Sequence, residues 1–236
     1  MATTSTAVED HKSGDLELLS SGNFSDVEVV CGNRSWKCHG AILVPRCLWF
    51  RKALMGHFEE ANTRQVTLVE EDPICVDLVL KYLYGRGLDI MRSVSAEHFV
   101  EHCVSLWHTA DFLMLEALKR SVERAVRDYC DKRMKELCIS PHRPTWRHPQ
   151  HLDQLSPWAL DLVEALRQAY EWQISDLKSV LMEFIWVART LTLQSGIASV
   201  LFDHLKDTPR FADDFLGRYV SKSWLRNSVW VPPRDK

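Results

Sequence analysis

From Ser25 to Cys38, apolar and polar residues alternate in steps of two, and after that the rhythm changes several times. Val27, Val29 and Cys31 fall on one side of an extended segment, as in a half-buried strand. Gly32-Asn33 offers a tight turn, so Ser35 to Cys38 is expected to return beside that strand as a hairpin. After Ala41-Ile42-Leu43-Val44, the run from Arg46 to Met55 reads as helix, with Pro45 expected at its first position. Gln65 to Val69 alternates again and predicts a short strand. Asp72-Pro73 pairs an N-cap with a first-turn proline, opening an apolar helix that ends on Tyr82-Leu83-Tyr84. Ser95 is expected to cap the next helix, whose stripe of Phe99, Cys103, Leu106, Trp107 and Ala110 is spaced three and four apart. Leu118, Val122, Val126 and Tyr129 extend that helix toward Cys138.

The periodicity then stops. Pro141, Pro144 and Pro149 interleave with His142, His148 and His151, so residues 139–156 read as a Pro/His-rich linker. Ser156-Pro157 restarts helix, and residues 157–236 are expected as a helical C-terminal region with stretches at Trp158–Trp172, Asp176–Leu193, Ile197–Lys206 and Arg210–Lys222. At the other end, residues 1–19 are polar and Ser/Thr-rich and read as a disordered tail, with one short helical turn around Leu16, Leu18 and Leu19. No internal repeat is visible.

Composition narrows the function classes. Hydrophobic residues make up 46% of 236, enough for a packed core. A net charge of −3, from 29 basic and 32 acidic residues, provides no basic field for nucleic acid. Seven cysteines without paired spacing suit a reducing compartment better than a disulfide framework. No window is long and apolar enough to span a bilayer, and the first residues lack the apolar core of a secretory signal. A soluble protein of the cytoplasm, the nucleus or both is expected.

The order of these parts carries a resemblance. Ser25-Asp26-Val27, Trp36-Lys37-Cys38-His39, the Arg46–Met55 helix, Phe58-Glu59-Glu60, the Gln65–Val69 strand, Asp72-Pro73 and Tyr82-Leu83-Tyr84 follow one another, and Ala110-Asp111 with Ala117-Leu118 comes later. Together they resemble the BTB/POZ domain, here followed by a helical extension of the kind frequent in fungal proteins. The resemblance implies an α+β fold over residues 20–138, a small three-stranded sheet flanked by helices. It implies a protein-interaction module and no enzyme or cofactor. It also implies that Asp26, His39 and Tyr84 serve the scaffold. Phe58 and Glu60 match the hydrophobic-x-Glu motif with which related proteins recruit a cullin, Phe58 as apolar anchor and Glu60 as orienting charge. The expected role is an adaptor for a cullin-RING ubiquitin ligase with an unknown client. The alternative is homotypic assembly or a transcriptional-regulatory scaffold without cullin contact. A homodimer would be two-fold symmetric.

Two constellations invite metal chemistry. His98-Phe99-Val100-Glu101-His102 has the H-x-x-E-H spacing that puts two imidazoles on one helix face, as in a zinc hydrolase. The apolar stripe beside it leaves His98, Glu101 and His102 on the wet side, so a solvated face is expected. Cys138, His142, His148 and His151 form a looser cluster without the close pairs that structural zinc sites use. The expectation is that neither binds metal.

Overall fold

The computed structural model describes residues 14–85, 87–139, 147–148, 151–193 and 203–220. They fall into two compact units, one made of residues up to Val94 together with Ser105–Val122, the other of Ser95–Val104 together with Glu123 onward.

The first unit is built on a three-stranded sheet of order β2-β1-β3. Strands β1 (Val27–Cys31) and β2 (Arg34–Cys38) form the expected hairpin, and β3 (Gln65–Leu68) runs parallel to β1. Gly32 closes the hairpin with φ at 55°, a conformation that disfavours a side chain. Val27, Val29 and Cys31 are buried on one sheet face, while Gln65, Thr67, Ser35 and Lys37 lie exposed on the other. This one-sided pattern is what period-two alternation dictates.

Helices cover the buried face. Residues 14–21 form α1, where one short turn was expected. The helical run through Pro45 is two helices, α2 (Gly40–Arg46) and α3 (Leu48–Met55), with extended backbone at Cys47 between them. Pro45 therefore sits inside α2 and starts nothing. It removes one amide donor just where the first helix stops. Then come α4 (Glu59–Thr63), α5 (Pro73–Gly85) and the single turn α6 (Ile90–Ser93). Asp72 caps α5 as expected, its Oδ1 accepting the Ile74 N–H at 2.8 Å. Cys75, Val76, Leu78, Val79, Leu80, Leu83 and Tyr84 are all buried, so α5 is the central helix of the unit.

Helices α7 (Phe99–Phe112) and α8 (Glu116–Ile139) contribute to both units. The second unit adds a ribbon of β4 (Arg147–His148) and β5 (His151–Leu155), then α9 (Pro157–Glu171), α10 (Ser175–Leu193) and α11 (Phe211–Val220). Its core includes Trp186, Leu162, Leu166 and Phe211, with Phe99 stacked on Tyr129 at 4.9 Å. Helix α7 starts at Phe99, four residues beyond the expected cap Ser95. Among the described residues no helix is long and apolar enough to cross a membrane.

Candidate functional site: an exposed interaction segment on a polar-braced scaffold

Helix α3 ends at Met55, and Gly56 turns the chain so tightly that a Cβ there would lie 2.4 Å from the Lys52 carbonyl oxygen. Phe58 then occupies the N-cap of α4, with extended backbone and no side-chain cap bond. Its ring is 60% exposed, and Met55 one turn earlier is 70% exposed. Phe58 therefore does not close the core beneath β3. Glu59 and Glu60 lie in the first turn of α4, where carboxylates meet the positive end of the helix. Glu60 is half-buried and makes no ion pair among the described residues. An exposed apolar residue and a carboxylate without an ion pair thus stand two positions apart at the start of α4.

The scaffold behind this segment is braced by the residues that the sequence singled out. His39 is buried, and its backbone N–H donates to the Tyr84 hydroxyl at 2.8 Å. Tyr84 lies 2.9 Å from the ring Nδ1 and His39 Nε2 lies 2.6 Å from the Asn23 carbonyl oxygen. The carbonyl can only accept, so Nε2 carries the proton and the tyrosine O–H donates to Nδ1. Burial, with the Cys38 thiol beside it, pushes the Tyr84 hydroxyl well above its ordinary range. Asp26 is exposed as a residue, yet its Oδ1 accepts the Gly40 N–H at 2.7 Å. One carboxylate thus joins the start of β1 to the start of α2.

Arg46 supplies a brace the sequence did not reveal. It donates to the carbonyls of Leu83 and Tyr84 at the end of α5 and pairs with Asp15 at 2.7 Å. Burial pushes Cys38 and Cys130 up to about 12 and raises Cys31, Cys47 and Cys75 as well, so none supplies a thiolate near neutrality.

In the second unit the H-x-x-E-H residues fall differently from the zinc pattern. His98 contacts Glu101 at 3.1 Å, but His102 turns its Nδ1 onto the His98 carbonyl oxygen at 2.7 Å. The third group near His98 and Glu101 is Asp161, with ligand atoms of all three within 4.8 Å. Asp161 is 2% exposed, and its two oxygens accept the Val100 and Glu101 N–H groups at 3.0 and 2.9 Å. It is the N-cap of α7, supplied from α9 some sixty residues away in sequence. Burial raises its carboxyl pKa despite those two bonds. The positive helix end that holds this carboxylate also repels a cation. In sequence Asp161 sits among Ala159, Leu162, Val163 and Leu166 with Glu164 three residues on, and nothing there set the two acids apart. The side chains of Cys138, His142, His148 and His151 lie outside the described residues.

The strand–helix order, the His39–Tyr84 brace and the exposed Phe58 turn sit inside one stretch that a family model of the BTB/POZ domain matches, residues 16–129. This stretch is a BTB/POZ domain. Its class of function is protein–protein interaction, in a family of non-enzymatic modules. Among curated proteins, Kelch-like protein 41 of Homo sapiens is 34% identical over 86 residues, 36% of this chain and 14% of that protein. BTB and MATH domain-containing protein 15 of Caenorhabditis elegans is 27% identical over 127 residues, 51% of this chain and 46% of that protein. This chain therefore spans less than half the length of either relative. Among solved structures, the BTB domain of zebrafish PATZ1 aligns with a TM-score of 0.42 at 15% identity, covering 54% of this chain and 98% of that one.

Proposed function

We propose that the BTB domain acts as an adaptor, joining a cullin scaffold to a client for ubiquitin transfer in the cytoplasm or nucleus. The observation that carries this reading is the exposure of Phe58 at 60% beside a Glu60 without an ion pair. A core-closing phenylalanine would be buried, and a structural first-turn glutamate would be paired or bonded. A large apolar ring surrounded by polar neighbours is the composition of a binding anchor. Asp26, His39 and Tyr84 hold the fold behind it, and neither His98 nor His102 has a metal role. Helices α9, α10 and α11 are the part that receives the client.

The test is co-elution of the full chain with the N-terminal region of a BTB-type cullin, by size exclusion with light scattering. A complex that Phe58→Ala or Glu60→Ala weakens at unchanged folding supports the adaptor. Separate elution well above micromolar concentration rejects it, and a dimeric mass in the same run favours homotypic assembly.

A further inference from the structure

The outer edge of β2 lies apart from the Phe58–Glu60 turn in sequence and offers open backbone groups. Among the described residues strand β2 pairs with β1 alone, so its other side is an open edge. The hydrogen-bond phase of that edge follows from two facts. The two-residue turn makes Cys31–Arg34 a bonded pair, so Val29–Trp36 and Val27–Cys38 are bonded as well. The Glu28 N–H points the other way, donating to the Arg64 carbonyl at 2.9 Å on the β3 side. The N–H and C=O groups of Ser35 and Lys37 therefore face outward. Among the described residues they meet no hydrogen-bond partner. Unpaired strand groups of this kind are a template for one more strand.

A cleft of about 680 Å³ runs beside that edge. Leu16, Leu19, Trp36 and Leu88 give it apolar walls. Its acids are already engaged. Asp77 accepts from Trp36 Nε1 at 3.0 Å and from Lys81 at 2.7 Å, and Asp89 pairs with Arg92 at 3.4 Å. Two exposed cations on the strand, Arg34 and Lys37, have no ion pair among the described residues. The Lys37 stem is packed against Gly22, where an added Cβ would come within 2.9 Å of Lys37 Cβ.

We infer that the β2 edge binds an extended acidic peptide by strand addition, with apolar residues of the peptide on the Trp36 face entering the cleft and acidic ones on the opposite face beside Lys37. Alternation along the added strand sends successive side chains to opposite faces, so acidic and apolar residues must alternate. A second copy of this chain is the wrong occupant on charge. Pairing two β2 edges would place Arg34 and Lys37 of both copies along one seam, where like charges oppose.

The test uses the full chain and a fluorescein-labelled decapeptide of alternating Glu and Val. Its controls are the same peptide with Lys for Glu and one with the Glu and Val residues in separate blocks. Fluorescence polarisation should show the alternating acidic peptide binding at least about tenfold tighter than either control. Amide exchange at Ser35 and Lys37 should slow on binding. Ser35→Pro deletes one outward N–H at an edge position that tolerates proline, and should weaken binding at least about tenfold. Lys37→Glu should do the same by charge, and it decides the matter if the proline variant does not fold. Equal binding by all three peptides overturns the inference, as does binding untouched by Lys37→Glu. So does protection of Ser35 and Lys37 in the free protein together with a dimeric mass, which would make a second copy the occupant.

Discussion

The junction around His39 and the turn around Phe58 lie in one unit and both mix aromatic with polar side chains, yet they use them in opposite ways. At the junction every polar atom that is buried finds a partner within the chain: His39 with Tyr84 and Asn23, Asp26 with the amide of Gly40. At the turn Phe58 is 60% exposed and Glu60 has no ion pair. Buried polar groups left without partners are costly, so the first arrangement must be complete in the free protein. Exposed groups carry no such requirement and are free to complete their contacts in a complex. Satisfaction inside the chain marks scaffold, and groups left open at an exposed turn are what the proposed interface requires.

Breaking the scaffold side should produce the largest effect. Tyr84→Phe removes both the acceptor for the His39 N–H and the donor to its Nδ1, two buried groups at once. The expected loss is about 2–4 kcal/mol of folding stability, from about 1–3 kcal/mol per orphaned buried group. Urea unfolding followed by circular dichroism measures it, and a loss below about 0.5 kcal/mol would show that the brace is dispensable. Breaking the interface side should leave stability alone. Phe58→Ala is expected to change it by less than about 0.5 kcal/mol, as for other exposed positions. The same variant should weaken cullin binding by about 2 kcal/mol or more, roughly thirtyfold. Calorimetric titration and thermal unfolding on one preparation separate the two.

Most of the scaffold was legible because its signals are local. Strand alternation, the Gly32-Asn33 turn and the Asp72-Pro73 cap each operate within a few residues, and the order of motifs did the rest. What escaped depends on pairs distant in sequence. The cap of α7 escaped for that reason: Ser95 was the nearest residue of capping type, but the buried Asp161 took the role from another helix. Phe58 and Glu60 were legible as a motif, whereas their exposure was not, since an F-x-E triplet reads the same whether buried or free.

Asp161 extends the contrast to the second unit, because it is a charge that belongs wholly to the scaffold. Asp161→Ala leaves the Val100 and Glu101 amides without their acceptor and should cost about 1–3 kcal/mol. The cost should depend on pH with a definite sign. Burial raises the carboxyl pKa of the folded state above the unfolded value, so ionisation is harder in the folded protein. The favourable contribution of Asp161 is then fully present below the unfolded pKa of about 3.9 and is lost as pH rises through the folded one. The penalty of Asp161→Ala, measured by denaturation, should therefore be larger at pH 4 than at pH 7. The opposite order would mean that the two amide bonds outweigh burial.

The smallest effect concerns Phe24, which sits on the boundary between the two kinds of region. Its neighbour Asn23 accepts the His39 ring proton, so the backbone here belongs to the brace. The Phe24 side chain is 92% exposed and its φ is 60°, a left-handed conformation uncommon for a bulky residue. The fold gains little from this ring and carries the strain of its backbone. Asparagine adopts the left-handed conformation more readily, so Phe24→Asn should raise stability by about 0.5–1 kcal/mol in the same unfolding assay. A gain of that sign would place Phe24 with Phe58, as an aromatic displayed for a partner at some cost to the fold. A loss of stability would instead show that the ring makes contacts that brace the junction, and Phe24 would join His39 and Tyr84 on the scaffold side.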